Sequence, residues 1–407
     1  MSSFTWLDYS ERDRRKMLEV VDLFKEKETR DELGLGAVRD SFADQLFPGT
    51  STIMTRARYF LLVAWTYQAL EEKKVGSKAI AERGRKAETA LIDPIEKSKD
   101  KDGNIGKFAR GSLKRLPSSV YWQGLSVWGI RTFPGSLAEY HRSLDRHYTH
   151  KKRHSGRREE RDLEHDDLAT SNWHGGLIKP PNDFPEVCSL GLSLDEAEYL
   201  RERIRLSRRC SGSLMAELVA KPRKIQDVNF VWEHPDCADF SPEHLSQLEH
   251  ARNFSELMHG ASLIYNLILA EQVGKAEWVA DYSERLQEWA LLVESRMATF
   301  ANWDRTQFWN HVDHGNPRVS PGAKDFIESW WDLVLAKRPA TMTSLPSARI
   351  LITERERRLK KSLARISNPR ARELWSGEAG SGRLEFRWWS SRRLLMDIFD
   401  GLEVRHA

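Results

Sequence analysis

Residues 47–67, FPGTSTIMTRARYFLLVAWTY, hold the most suggestive grouping of polar chemistry in this chain. A Pro-Gly turn and a run of small hydroxyl residues lead into Arg56 and Arg58, and a dense apolar-aromatic block follows. Backbone N–H groups at a helix start lack intrahelical acceptors, so hydroxyls and arginines beside them make a phosphate pocket. Arginine suits this role because its planar fork reaches two oxygens at once. The same residues also read as architecture, with Thr50 or Ser51 capping the helix and the arginines paired to Asp31, Asp40 or Asp44. The spacing is not that of a Walker loop, since GxxxxGK[ST] is absent.

A second concentration of charge lies near the C-terminal end. Arg349, Arg355, Arg357, Arg358, Lys360, Lys361, Arg365, Arg370 and Arg372 crowd one predicted helix and its end. Arg383, Arg387, Arg392 and Arg393 then interleave with Phe386, Trp388 and Trp389. Cations beside aromatic rings can hold a nucleic-acid backbone and stack its bases. Glu354, Glu356, Glu373, Glu378 and Glu385 offset only part of that charge. A charged helix is more ordinarily a solvated face, and Trp388 and Trp389 suit a core equally well. The candidate contacts to a DNA or RNA backbone are therefore Arg56, Arg58, Arg355, Arg358, Lys360, Lys361, Arg365, Arg387, Arg392 and Arg393.

Other chemistry is thinner. His147, His150 and His154 would share one helical face, and His311 and His314 flank Asp313 in HVDHG. A zinc site needs three or four ligands with supporting partners, and neither histidine group has cysteine beside it. The chain has no GxSxG elbow, no HExxH and no GxGxxG. No cofactor or metal is assigned, and enzymatic activity is not the expectation.

Composition narrows the class. Hydrophobic content of 40% argues against wholesale disorder, and fifteen tryptophans predict a core of large rings with polar handles. A formal charge of +4 leaves nucleic-acid binding to local clustering. Cys188, Cys210 and Cys237 form no CxxC pair and no disulfide framework, which fits a reducing compartment. The opening residues lack the apolar run of a secretion signal, and the longest apolar run, 59–67, is too short for the roughly 20 residues a bilayer span needs. The expectation is a cytoplasmic protein with no membrane partner.

The elements that must position these residues are helical. Ser10 and Asp13 resemble a cap, with Met17, Val20, Val21 and Phe24 on one face behind them. Val38, Phe42 and Leu46 mark a short second helix, and a helix from about Ser51 to Glu72 is apolar nearly all round. Residues 75–115 read as a charged, mobile connection with some helix. SSVYWQGLSVWGI predicts an amphipathic helix from Ser118 or Ser119. Ser193 with Glu196 forms a capping box, and Ser241-Pro242 opens a long helix through Leu245, Leu248, Phe254, Leu257, Ile264 and Ile268. Further amphipathic helices carry Trp278, Tyr282, Trp289 and Val293, then Phe326, Ile327, Trp330 and Val334. The expected class is mainly α, a multi-helix bundle with a small basic C-terminal unit containing a short strand or hairpin at LEFRWW. The expected segments are an N-terminal helical domain at 1–140, a polar connector at 141–190, a helical bundle at 191–340 and a basic aromatic unit at 341–407.

Several blocks carry a resemblance: TRDELGLGAVRDSFADQLFPGTSTIMTRARYF, SSVYWQGLSVWGI, ARNFSELMHGASLIYNLILAE and the stretch from ITERERRLKK to LMDIFDGL. On these the chain resembles an uncharacterised bacterial family, domain of unknown function 6361, over nearly its full length. It departs from the family pattern at Ala64, where a proline is expected before the tryptophan; this leaves the helix less kinked. The resemblance implies accessory proteins of bacterial antiviral defence islands, beside helicases and phospholipase-D-like nucleases, and it assigns no catalytic residue. The leading expectation is a non-catalytic helical subunit of a defence or DNA-processing complex. The alternatives are a metal-dependent nuclease with a site near His311 and His314, and a protein-interaction scaffold for a helicase or nuclease partner.

Overall fold

The computed structural model describes residues 31–155, 171–221, 228–315 and 318–403. The helix expected around Ser10 to Phe24 lies outside the described residues. In chain order the helices are α1 (Gly36–Leu46), α2 (Tyr59–Glu72), α3 (Ile80–Ala90), α4 (Ile92–Lys97), α5 (Pro117–Val127) and α6 (Leu137–Ser155). Next come α7 (Leu194–Leu206), α8 (Leu214–Ala220), the long α9 (Pro242–Val273), α10 (Ala276–Ser295) and α11 (Met297–Asn302). The series ends with α12 (Arg305–Gly315), α13 (Pro321–Ala336), α14 (Pro346–Lys360), α15 (Pro369–Arg372) and α16 (Trp388–Glu403). The protein is mainly helical, and no strand occurs among the described residues beyond one antiparallel bridge between Arg131 and Trp173. The strand expected at LEFRWW does not form. Residues 383–385 are irregular, and Phe386 and Arg387 take φ of 52° and 66°, which breaks extended backbone before α16 begins.

The chain divides into two compact units, 1–42 with 246–386 and 43–245 with 387–407. Each is assembled from two stretches of chain, where the sequence reading expects consecutive segments.

In the unit built from 43–245 and 387–407, α2 is the centre. Every residue from Tyr59 to Tyr67 is buried. Phe60 stacks on Trp128 at 3.8 Å and meets Tyr121 edge-on. The helix begins at Tyr59 rather than near Ser51, and neither Thr50 nor Ser51 caps it: Arg58 is the N-cap, with no side-chain cap bond. The Thr50 hydroxyl instead donates to the Phe47 carbonyl at 2.7 Å. Gly49 takes φ +80° with Trp128 packed on it, a left-handed turn that leaves no space for a side chain. The expected capping box on α7 is present in both arms, Glu196 N–H to Ser193 Oγ and Ser193 N–H to Glu196 Oε2.

In the other unit, α9 is buried on nearly all sides from His250 to Ala270, where Arg252, His259 and Ser262 alone are half-buried, and not along one stripe as expected. Tryptophans surround it and hold on through their indole N–H groups. Trp289 donates to the Glu256 carbonyl at 2.8 Å and Trp330 to the Leu257 carbonyl at 2.9 Å. Trp375 donates to Asn266 Oδ1. Burying Glu256 on a core helix is tolerable because Arg252 and Arg296 both pair with its carboxylate.

Candidate nucleic-acid interface

The anion that the PGTST–Arg56 stretch is built to hold comes from the chain itself. Asp397, on α16, accepts Arg56 Nε–H at 2.8 Å and the Ala57 N–H at 2.7 Å. The Tyr121 hydroxyl accepts the Thr55 and Arg56 N–H groups and donates to the Arg56 carbonyl. The backbone donors that would cradle a phosphate are thereby used, and the same competition explains why the helix starts late. The remaining face of Arg56 forks onto Asp100, both bonds 2.6 Å, and Arg56 is 4% exposed. The hydrogen bond from Arg56 lowers the Asp100 carboxyl from its usual range. Burial pushes Asp397 up to about 6, still ionised at neutral pH beside Arg56. Arg58 reaches the capping-box carboxylate of Glu196 at 2.7 Å and the Ser189 carbonyl and hydroxyl. The carboxylates are thus Asp100, Asp397 and Glu196, and not Asp31, Asp40 or Asp44. No local spacing signals these partners, which lie from 44 to 341 residues away.

On α14, helical periodicity splits the arginines into two sets. Ala348, Ile352, Arg355 and Glu356 face inward. Arg355 donates to the carbonyls of Leu33 and Gly322, and burial lowers its pKa from the usual guanidinium value. Lys360 and Arg365 both pair with buried Glu32, at 2.7 and 2.8 Å. Buried Glu356 accepts the Tyr265 hydroxyl and the N–H groups of Arg365 and Ile366. These three cations are held by internal acceptors.

The outward set is different. Arg357, Arg358, Lys361 and Arg370 are exposed. Arg358 pairs with Glu354 four residues back, a surface contact worth about 0.3–0.5 kcal/mol. Arg357, Lys361 and Arg370 make no ion pair among the described residues. Leu359, Leu363 and Leu374 are also exposed, so the patch is both basic and apolar. Arg357 and Arg370 are visible in the sequence as members of the basic crowd. The stripe Ala348, Ile352, Arg355 sets Arg355 apart from Arg357 on α14, but Lys361, Arg365 and Arg370 lie beyond that helix and no such period sorts them.

On α16 and the turn before it, Arg387 pairs with Asp44 and donates to the Thr50 carbonyl. Arg392 lies over the exposed Trp389 ring at 4.8 Å and donates to the Val228 carbonyl. Arg393, 46% exposed, approaches Asp397 at 3.7 Å, so Arg56 and Arg393 meet at one carboxylate. Trp388 is buried and donates to the Val228 carbonyl, as its core reading required.

Among the described residues no group of three or more His, Cys, Asp or Glu side chains is placed to hold a metal. Asp313 and His314 are exposed, while the His311 ring lies 4.9 Å from that of His250. Burial, and then the neighbouring His311, lowers His250 to about 4, and its Nδ1 accepts the Trp303 indole N–H. The side chain of His154 lies outside the described residues. Ser241, His244 and Glu217 meet in a grouping that looks like a hydrolytic triad. Both Ser241 Oγ and Glu217 contact the same nitrogen, Nδ1, and Nε2 faces the Gly212 carbonyl. A relay needs the nucleophile and the orienting carboxylate on opposite nitrogens of the imidazole base, so this is a helix-cap cluster.

No helix among the described residues is long and apolar enough to cross a membrane. A model for a family described as "family of unknown function (DUF6361)" matches residues 1–401. No curated protein and no solved structure matches the chain.

Proposed function

The chain belongs to the DUF6361 family, and since that description names no activity we propose a function from the geometry: a non-catalytic helical subunit of a bacterial antiviral-defence or DNA-processing complex. It works in the cytoplasm and contacts nucleic-acid phosphates and a partner protein, a helicase or a phospholipase-D-like nuclease. The observation that carries this reading is the outward face at the end of α14. Inward cations on the same helix are met by internal acceptors, whereas Arg357, Lys361 and Arg370 present positive charge with no ion pair among the described residues. Exposed cations of one sign attract a polyanion and release its counterions. The exposed Trp389 on α16, with half-buried Arg392 over its ring, is a second basic-aromatic pair of the kind that stacks bases. The exposed Leu359, Leu363 and Leu374 supply apolar area for the partner protein.

The test is a fluorescence-anisotropy titration with short duplex and single-stranded DNA at two salt concentrations. Affinity should fall steeply with salt. Arg357→Glu with Lys361→Glu should flatten the slope by about one for each phosphate left without its cation. Absence of binding at low salt, or a slope unmoved by these substitutions, sinks the reading.

A further inference from the structure

The most exposed large apolar side chain among the described residues is Phe108, 92% exposed at the tip of a loop between α4 and α5. The loop is firmly built. Buried Asn104 donates to the Ile92 carbonyl and to Glu96, and accepts from the Tyr59 hydroxyl, which in turn accepts the Ile105 N–H. Arg85 holds the far side through the carbonyls of Gly111 and Leu113, at 2.9 and 2.7 Å. Gly106 takes φ +90° packed against Leu113 and Ile92, where a side chain would not fit. A chain segment fixed by this many bonds presents its phenyl ring to water, although burying such a ring is worth about 1.5–3 kcal/mol.

The surroundings are basic. Lys97, Lys99 and Lys101 are exposed and make no ion pair among the described residues, and the Lys107 ammonium lies 5.6 Å from the Phe108 ring centre. Four carboxylates, Asp93, Glu96, Asp100 and Asp102, lie among the seven cations of 91–115; Asp100 is taken by Arg56, Asp93 pairs with Arg110 and Glu96 with Lys107, so the charge offered to phosphates is that of Lys97, Lys99 and Lys101. We propose that this loop is a base-stacking finger, in which an unpaired nucleobase lies on Phe108 while neighbouring phosphates contact the lysines. The inference rests on the nucleic-acid reading above and adds single-stranded substrate to it. A lone ring flanked by Lys107 and Arg110 offers a stacking face. It offers little of the contiguous apolar area that membrane insertion or a protein interface would use.

The experiment uses the full chain and a short oligothymidylate carrying one 2-aminopurine, whose emission changes on stacking. Phe108→Ala should weaken single-strand binding about tenfold and abolish the emission change, Phe108→Trp should keep both, and Phe108→Leu should resemble alanine. Duplex binding and thermal melting should be unchanged, because the ring stands almost wholly in water with Lys107 beside it. Single-strand binding equal to wild type in Phe108→Ala overturns the inference, as does wild-type binding and emission change in Phe108→Leu. Loss of binding to phosphatidylserine vesicles in Phe108→Ala, with DNA binding intact, overturns it in favour of a membrane. If the wild-type protein binds no nucleic acid at low salt, the functional reading fails and this inference fails with it.

Discussion

Replacing Asp397 with asparagine tests whether Arg56 belongs to the core or to a ligand site. Asp397 accepts Arg56 Nε–H at 2.8 and 3.0 Å and the Ala57 N–H at 2.7 Å. An amide supplies one oxygen where the carboxylate supplied two, and its NH2 group turns a donor toward a donor. Removing one partner of a buried ion pair costs about 3–5 kcal/mol. Arg56 keeps its two bonds to Asp100 at 2.6 Å, which sets the expected loss for Asp397→Asn at the lower end, about 3 kcal/mol. Urea unfolding followed by circular dichroism reads this as a lower midpoint at unchanged slope. Combining Arg56→Met with Asp397→Leu removes the buried pair and should return part of the loss; the Ala57 N–H is left without its acceptor, while Asp100 can turn to water. Nucleic-acid affinity of the folded variants should not change. If Arg56→Met left stability intact but abolished DNA binding, the internal-anion account of Arg56 would be refuted.

Glu88 should make stability fall as pH rises. Burial lifts its carboxyl from 4.5 to about 7, so the folded state retains a proton that the unfolded chain releases. Stability is then fullest below pH 4.5 and lost by about 3 kcal/mol as pH climbs through 7. The Ser118 N–H and the Tyr67 hydroxyl both donate to Glu88. Glu88→Gln keeps an acceptor oxygen but has no titrating proton, and should remove this slope; an unchanged slope in urea titrations at pH 5 to 8 counts against it. Gly260→Ala should destabilise by about 3 kcal/mol or more, since overpacking a rigid core forces strain. A Cβ there overlaps the Trp289 indole, which the Glu256 carbonyl holds in place. A melting temperature equal to wild type would show that the ring has room to shift.

Much of the fold was legible. The second helix, the core helix through Tyr67, the capping box at Ser193 and the helix opened by Ser241-Pro242 follow from local rules of propensity, periodicity and capping. Those rules act within a few residues, so one chain suffices to read them. Where they failed, a distant partner had taken over. The core helix starts at Tyr59 because Tyr121 and Asp397 claim the N–H groups of residues 55–57. The LEFRWW segment turns because Phe386 and Arg387 adopt positive φ. Residues 75–115 are not a loose connection: Asn104 and Arg85 tie their loop in place.

The charged residues divide in the same way. Residue order alone puts arginines together near residues 56 and 349–393 and gives the stretch before the core helix the chemistry to hold an anion. Folding supplies the rest: the anion is Asp397 with Asp100, and Arg355, Lys360 and Arg365 point inward while Arg357, Lys361 and Arg370 point out. The reason is physical. A guanidinium carries the same charge wherever it lies in the sequence, but whether it can meet a ligand depends on which carboxylate the fold has brought within 3 Å.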